Sequence, residues 1–160
     1  MTPLYRISTA ICAILIIVDQ ISKYVAVTYL RPVGTVPVIQ NIFAFTFVEN
    51  RGAAFGILQG ARIGFLIVTP LIVAGLIYYF IKLPHDRVYT FVRAALVLVT
   101  AGAIGNYIDR LFRGYVVDFL HATFINFPVF NLADVFVVTG TALLAVLIIF
   151  FIRDEPEIVK

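Results

Sequence analysis

Charge is what this sequence has least of. Asp, Glu, Lys and Arg make up 13% of its 160 residues, against 62% hydrophobic residues and a mean hydropathy of +1.04. That balance excludes a soluble globular domain and puts the chain in a lipid bilayer. The net charge of +3 comes from scattered Lys and Arg with no run of them, so a nucleic-acid footprint is not indicated, and the basic residues serve better as markers of membrane topology. Cysteine is nearly absent: Cys12 has neither a disulfide partner nor a metal-binding companion and reads as lipid-facing or packing filler. The only serines are Ser8 and Ser22, neither in a G-x-S-x-G setting, which argues against a serine hydrolase. His85 and His121 are far apart and no H-E-x-x-H occurs, which argues against zinc. Low-complexity tracts, polar linkers, heptads and internal repeats are also missing.

What is there is four apolar runs, at about residues 8–30, 62–83, 92–112 and 135–152, each near the ~20 residues of helix that cross a bilayer. The first is much longer than the apolar segment of a cleavable signal peptide and should stay as a transmembrane helix. Four crossings return the chain to its starting side, so both termini share a compartment. Basic residues do not say which one: Arg6, Lys82, Arg87, Arg93, Arg153 and Lys160 on the terminal side face Arg31, Arg51, Arg62, Arg110 and Arg113 on the other. Between the first two runs the period changes. Phe43, Phe45 and Phe47 alternate with Ala44, Thr46 and Val48, a strand pattern that Val36–Ile39 could pair with, its aromatic face suited to a membrane interface. The expected fold is an all-α polytopic membrane protein of four transmembrane helices, one domain over residues 1–160, with a small β-rich cradle at about 33–59 between the first and second helices. Pro70 in the second helix is tolerable in a membrane, and that helix reads as scaffold.

The polar residues are few enough to weigh singly. Asp19 and Lys23 lie four apart with the acid first, so they share a helix face, either as an ion pair locking the first helix into the bundle or with a direct chemical role, and Gln20 could join them. Asn50, in the turn Glu49-Asn50-Arg51-Gly52, is either a turn former or a side-chain amide aimed at a substrate backbone; Gly52 and Gly56 loosen the backbone there. In the third run Ala101 and Gly105 allow close helix approach, and Asn106, Asp109 and Arg110 can line one face near the membrane surface. Asp118 lies between Val116-Val117 and Phe119-Leu120, where desolvation raises a carboxyl pKa; it is a candidate acid or base, or else an Asp ending a strand. Asn131 and Asp134 have the spacing of a capping box for the fourth helix. If Asp118 and Asp134 instead meet in a low-dielectric site, they cannot easily both ionise and would share a proton, as in an aspartic protease, with no metal required. A proton-coupled transporter relaying through Asp19, Lys23 and Asp109, and a Mg²⁺-dependent lipid transferase, stay open as alternatives.

The blocks Asp19-Gln20 with Lys23, Glu49 to Phe55, Gly105-Asn106 with Asp109-Arg110, Val116-Val117-Asp118-Phe119 and Phe130 to Asp134 together resemble bacterial lipoprotein signal peptidase, signal peptidase II, in order and spacing along the whole chain. The resemblance implies an intramembrane aspartyl endopeptidase of the bacterial cytoplasmic membrane. Such an enzyme removes the signal peptide from diacylglyceryl-modified prolipoproteins, cutting just before the lipidated cysteine. It also implies Asp118 and Asp134 as the catalytic dyad, Asn50, Asn106, Arg110 and Asn131 as a substrate-binding and supporting shell, and Asp19, Lys23 and Asp109 as a structural polar network. No cofactor or metal is implied. The implied partners are the lipidated precursor and membrane lipid, not nucleic acid, and the chain is expected to work as a monomer. Both termini would be cytoplasmic, with cradle and dyad on the extracytoplasmic side and the 121–128 segment able to act as part of a lid.

Overall fold

A computed structural model describes residues 3–52, 62–84, 86–125 and 127–151. Gly56, the 53–59 part of the expected cradle, His85, Ile152 and the acidic tail lie outside the described residues.

Among the described residues, four helices are long and apolar enough to cross a membrane. The first, α1, runs Pro3–Val25 and continues as a wider π-helical turn, Ala26–Leu30. It ends where Pro32 follows and Gly34, at φ 79°, turns the chain back toward the bundle, its N–H donating to the Leu30 carbonyl (2.8 Å). Strands β1 (Thr35–Ile39) and β2 (Phe43–Asn50) form an antiparallel hairpin whose bend places Asn41 at φ 59°, a conformation asparagine tolerates. Then come α2 (Arg62–Lys82), with Pro70 inside it and no buried residue, α3 (Arg87–Phe112), β3 (Val116–Ala122) and α4 (Leu132–Phe150).

Helix boundaries differ from the apolar runs because hydropathy marks the hydrocarbon slab, while a helix ends where its caps are. Thus α3 starts at Arg87 rather than Val92, capped by the Asp86 side chain, and α4 starts at Leu132 rather than Val135, behind the cap Asn131. The longer α3 carries Arg93 inward. Instead of marking topology at a surface, Arg93 is buried, its Nη2 donating to the Leu83 carbonyl at 2.6 Å, where α2 has run out of internal donors.

The sheet also departs from the expectation of a cradle built only between α1 and α2. It has three strands in the order β1-β2-β3, and β3 comes from the α3–α4 connection. Its pairing with β2 sets Val48 opposite Asp118 and Asn50 opposite Val116, and a bulge between Phe45 and Val48 interrupts the regular phenylalanine alternation. Ala26, Leu30, Val117 and Phe119 bury themselves beneath the sheet, and a second apolar cluster, Leu83, Tyr89, Val92, Leu96 and Leu147, closes the other end of the bundle.

The central helix is α3, which packs against α1, α2 and α4. Glycine makes that packing tight. A Cβ on Gly102 would collide with the Ala133 carbonyl and Val137, and one on Gly140 would sit 2.7 Å from the Ala95 carbonyl oxygen. At Gly105 it would lie 2.5 Å from Asp19 Oδ2. With van der Waals packing as the main attraction between helices in lipid, this closeness holds α3, α4 and α1 in a fixed relation. Asn106, one residue on from Gly105, inherits it.

Candidate active site

Two acidic centres lie side by side at the end of the bundle that carries the sheet. In the first, Asp19, Lys23 and Asp109 are all fully buried. Lys23 Nζ stands 3.0 Å from Asp19 Oδ2, 3.3 Å from Asp109 Oδ2 and 2.9 Å from Asn106 Oδ1, one acceptor for each ammonium proton. Asp19 Oδ1 accepts the Ala133 N–H (3.0 Å), an orphan donor in the first turn of α4, and Asp19 Oδ2 accepts Gln20 Nε2 (3.0 Å), which also donates to the Gly105 carbonyl (3.1 Å). Asp109 pairs with Arg113 (3.2 Å) and accepts the Val117 N–H (3.0 Å), tying the start of β3 to the end of α3 across a turn that needs Gly114 at φ 82°. These contacts join α1 to α3, α4 and β3.

The second centre contains Asp118 and Asp134. Asp118, buried to 1% exposure between Val117 and Phe119, accepts Asn131 Nδ2 on Oδ1 (2.6 Å) and Asn50 Nδ2 on Oδ2 (2.9 Å). Asp134, less deeply buried, accepts Asn106 Nδ2 on Oδ1 (2.7 Å) and the Asn131 N–H on Oδ2 (3.1 Å). Each of the four carboxylate oxygens therefore holds one N–H donor and keeps lone-pair capacity. Among the described residues no ion pair reaches either acid. The Asp118 carboxyl is pushed up from 3.8 to about 7, first by burial and next by the charge of Asp134; hydrogen bonds from Asn50 and Asn131 and the charge of Lys23 oppose the rise.

Asn131 and Asp134 form a complete capping box, yet the box uses only one oxygen of Asp134 and leaves the other for Asn106. Asn50 closes its turn and also reaches Asp118: Oδ1 accepts the Gly52 N–H (3.0 Å), and that fixes Nδ2 on Asp118. Asn50, Asn106, Arg110, Asp118 and Asp134 line one cavity of about 530 Å³, whose far wall is apolar, with Val135 and Val138 from α4 and Phe127–Phe130 from the preceding segment. A separate cavity of about 460 Å³ between α1, α2 and α3, near Tyr5, Cys12 and Phe80, contains no carboxylate.

Sequence reasoning missed several supports. Arg110 is steered by the Gly52 carbonyl (Nη2, 3.2 Å) and by the Phe65 ring, 4.3 Å from its guanidinium. Arg62 caps the end of α3 through the carbonyls of Arg110 (2.8 Å) and Leu111 (3.0 Å). No periodic pattern signals these, since each joins segments distant in sequence.

A family model described as signal peptidase (SPase) II matches residues 11–150. The lipoprotein signal peptidase of Caldanaerobacter subterraneus subsp. tengcongensis is 48% identical over 141 residues, 88% of this chain and 94% of that protein. The lipoprotein signal peptidase of Halalkalibacterium halodurans is 40% identical over 154 residues, 94% of each. Two solved structures, each described as a bacterial membrane enzyme, superpose with TM-scores of 0.85 (34% identity, 96% of this chain and 94% of that one) and 0.80 (36% identity, 90% and 93%).

Proposed function

Because the chain belongs to the signal peptidase II family, and so is a membrane peptidase that removes signal peptides from prolipoproteins, we propose that Asp118 and Asp134 are its catalytic dyad. The observation that carries this reading is the pair of carboxylates on one cavity, all four oxygens aimed by N–H donors and neither acid neutralised by a cation.

The chemistry follows from the environments. The more buried acid, Asp118, whose carboxyl is pushed up to about 7, serves as the proton donor, and Asp134 serves as the base. Asp134 takes a proton from a water held between them as the water oxygen attacks the scissile carbonyl, while Asp118 gives its proton to the carbonyl oxygen. The tetrahedral diol then collapses: its C–N bond breaks, one hydroxyl returns a proton to Asp118, and the proton on Asp134 passes to the leaving nitrogen. Asn50 and Asn131 aim Asp118 and Asn106 aims Asp134, while Arg110 presents donors to substrate carbonyls at the cavity mouth.

The substrate is a diacylglyceryl-modified prolipoprotein cut just before its lipidated cysteine. The apolar wall made by Val135 and Val138 suits a signal helix approaching through lipid, which brings the scissile bond to where α3 ends and α4 begins. Both termini face the cytoplasm, the sheet and dyad lie on the outer side of the bacterial cytoplasmic membrane, the 121–128 segment limits water access, and the enzyme acts as a monomer. The transporter and lipid-transferase alternatives give way to the family.

The test is gel-shift cleavage of a diacylglyceryl prolipoprotein by purified Asp118→Asn and Asp134→Asn variants of matched thermal stability. Each should bind the precursor and cut it slower by about 10² to 10⁴ or more. Substantial cleavage by either would return both residues to a capping role.

A further inference from the structure

The three side-chain amides around the dyad could each turn over, exchanging oxygen for NH₂. Two are pinned by the main chain: Gly52 N–H holds Asn50 Oδ1 (3.0 Å) and Asp134 N–H holds Asn131 Oδ1 (3.0 Å), so both NH₂ groups face Asp118. Asn106 has no main-chain donor among its hydrogen bonds. Its Oδ1 is held by Lys23 Nζ (2.9 Å) and, at the longer distance of 3.2 Å, by Asn131 Nδ2, whose shorter bond goes to Asp118. An ammonium has donors and no acceptor, so the reversed amide would put NH₂ against the lysine and an oxygen against Asp134 Oδ1. Lys23 itself cannot retreat, with Asp19 and Asp109 on its remaining protons and no exposed surface.

We propose that Lys23 is a positioning residue for the reaction: by gripping the oxygen of Asn106 it keeps that amide's N–H on Asp134, and it sets a fixed positive charge one side chain behind the dyad. The proposal rests on the dyad reading and goes beyond structural support, which requires Lys23 only to join α1 to α3. The charged groups facing Asp118 are Asp134 from α4, Arg110 from α3 and Lys23 from α1; Asn50 on β2 and Asn131 ahead of α4 are neutral. Loss of Lys23 removes an opposing cause and lets the Asp118 carboxyl rise further, so more alkaline conditions are needed to strip the shared proton.

Lys23→Met leaves two buried carboxylates short of a cation and so reduces the yield of folded protein. The companion Lys23→Met/Asp19→Asn removes one charge of each sign: an asparagine at 19 still accepts the Ala133 N–H, and Asp109 keeps Arg113 and the Val117 N–H. On purified protein, two things are measured from about pH 5.5 to 9: single-turnover cleavage of a diacylglyceryl prolipoprotein, and, without substrate, the infrared band of the protonated Asp118 carboxyl, assigned by its loss in Asp118→Asn. The double variant should lose about 10- to 100-fold in the chemical step with KM nearly unchanged. Its alkaline limb and infrared midpoint should both move up by about half a pH unit or more. Asp19→Asn alone, which keeps the ammonium on Asn106, should move neither upward. A double variant with the parent's rate and midpoint overturns the proposal. Cleavage by Asp118→Asn overturns the dyad reading instead, and the two failures are distinct.

Discussion

Asp19 and Asp109 differ from Asp118 and Asp134 in what neutralises them, although all four crowd the same end of the bundle. The first two share a buried ammonium, and Asp109 also has Arg113 within 3.2 Å. Among the described residues, the second two are hydrogen-bonded only by amide N–H groups. A buried cation ties a carboxylate in place and makes it an anchor. Neutral donors orient a carboxylate without settling its charge, which leaves the proton free to move and the residue fit for acid/base work. Asn106 joins the two centres, accepting from Lys23 and donating to Asp134.

The largest effect expected from breaking this contrast is on turnover. The Asp118→Asn/Asp134→Asn double variant should be scarcely slower than either single one, since residues that act as a unit do not add, and single-turnover rates at equal folded concentration check it. Asp19→Ala comes next and should act oppositely, destabilising by about 3–5 kcal/mol because it leaves Lys23 short of a partner and uncaps Ala133, while folded protein retains measurable cleavage. Thermal unfolding in detergent alongside rate per folded molecule separates the two; normal stability with abolished turnover would move Asp19 into the active site. Gly105→Ala should cost about 1–3 kcal/mol, because its Cβ needs the space of Asp19 Oδ2, and the shift read by the same unfolding assay should be accompanied by slower turnover as Asn106 is displaced. Smallest of all is the loss of helix cap in Asp134→Asn, about 1 kcal/mol or less, since asparagine keeps an oxygen for the Asn131 N–H. A drop several times larger would mean that Asp134 mainly holds α4.

Much of this contrast is legible in the sequence. Four spans, the Asp19–Lys23 pair, the Asn131–Asp134 cap and the suspicious burial of Asp118 all follow from local pattern. What local pattern does not contain is partnership at long range. β3 shows no alternation, and its neighbour β2 lies across two helices of chain, so a cradle read from residues 33–59 alone lacked its third strand. Arg93 looked like a topology marker because hydropathy placed it at the very edge of its apolar run, whereas α3 begins at Arg87 and carries it inside. The orientation of Asn106 depends on a lysine 83 residues away. Residue types and spacing identify the acids; which of them are neutralised is decided by packing.

The central claim, that Asp118 and Asp134 share a proton near neutral pH, is tested most directly by the pH dependence of kcat/KM for a diacylglyceryl prolipoprotein, set beside the infrared titration of Asp118 in the free enzyme. With the Asp118 carboxyl pushed up to about 7, the singly protonated pair is the active form and is lost as pH rises through that value. The account predicts an alkaline limb near pH 7 that coincides with the infrared midpoint. An Asp118 already ionised at the pH of full activity, with no titration between about pH 5 and 9, would contradict it.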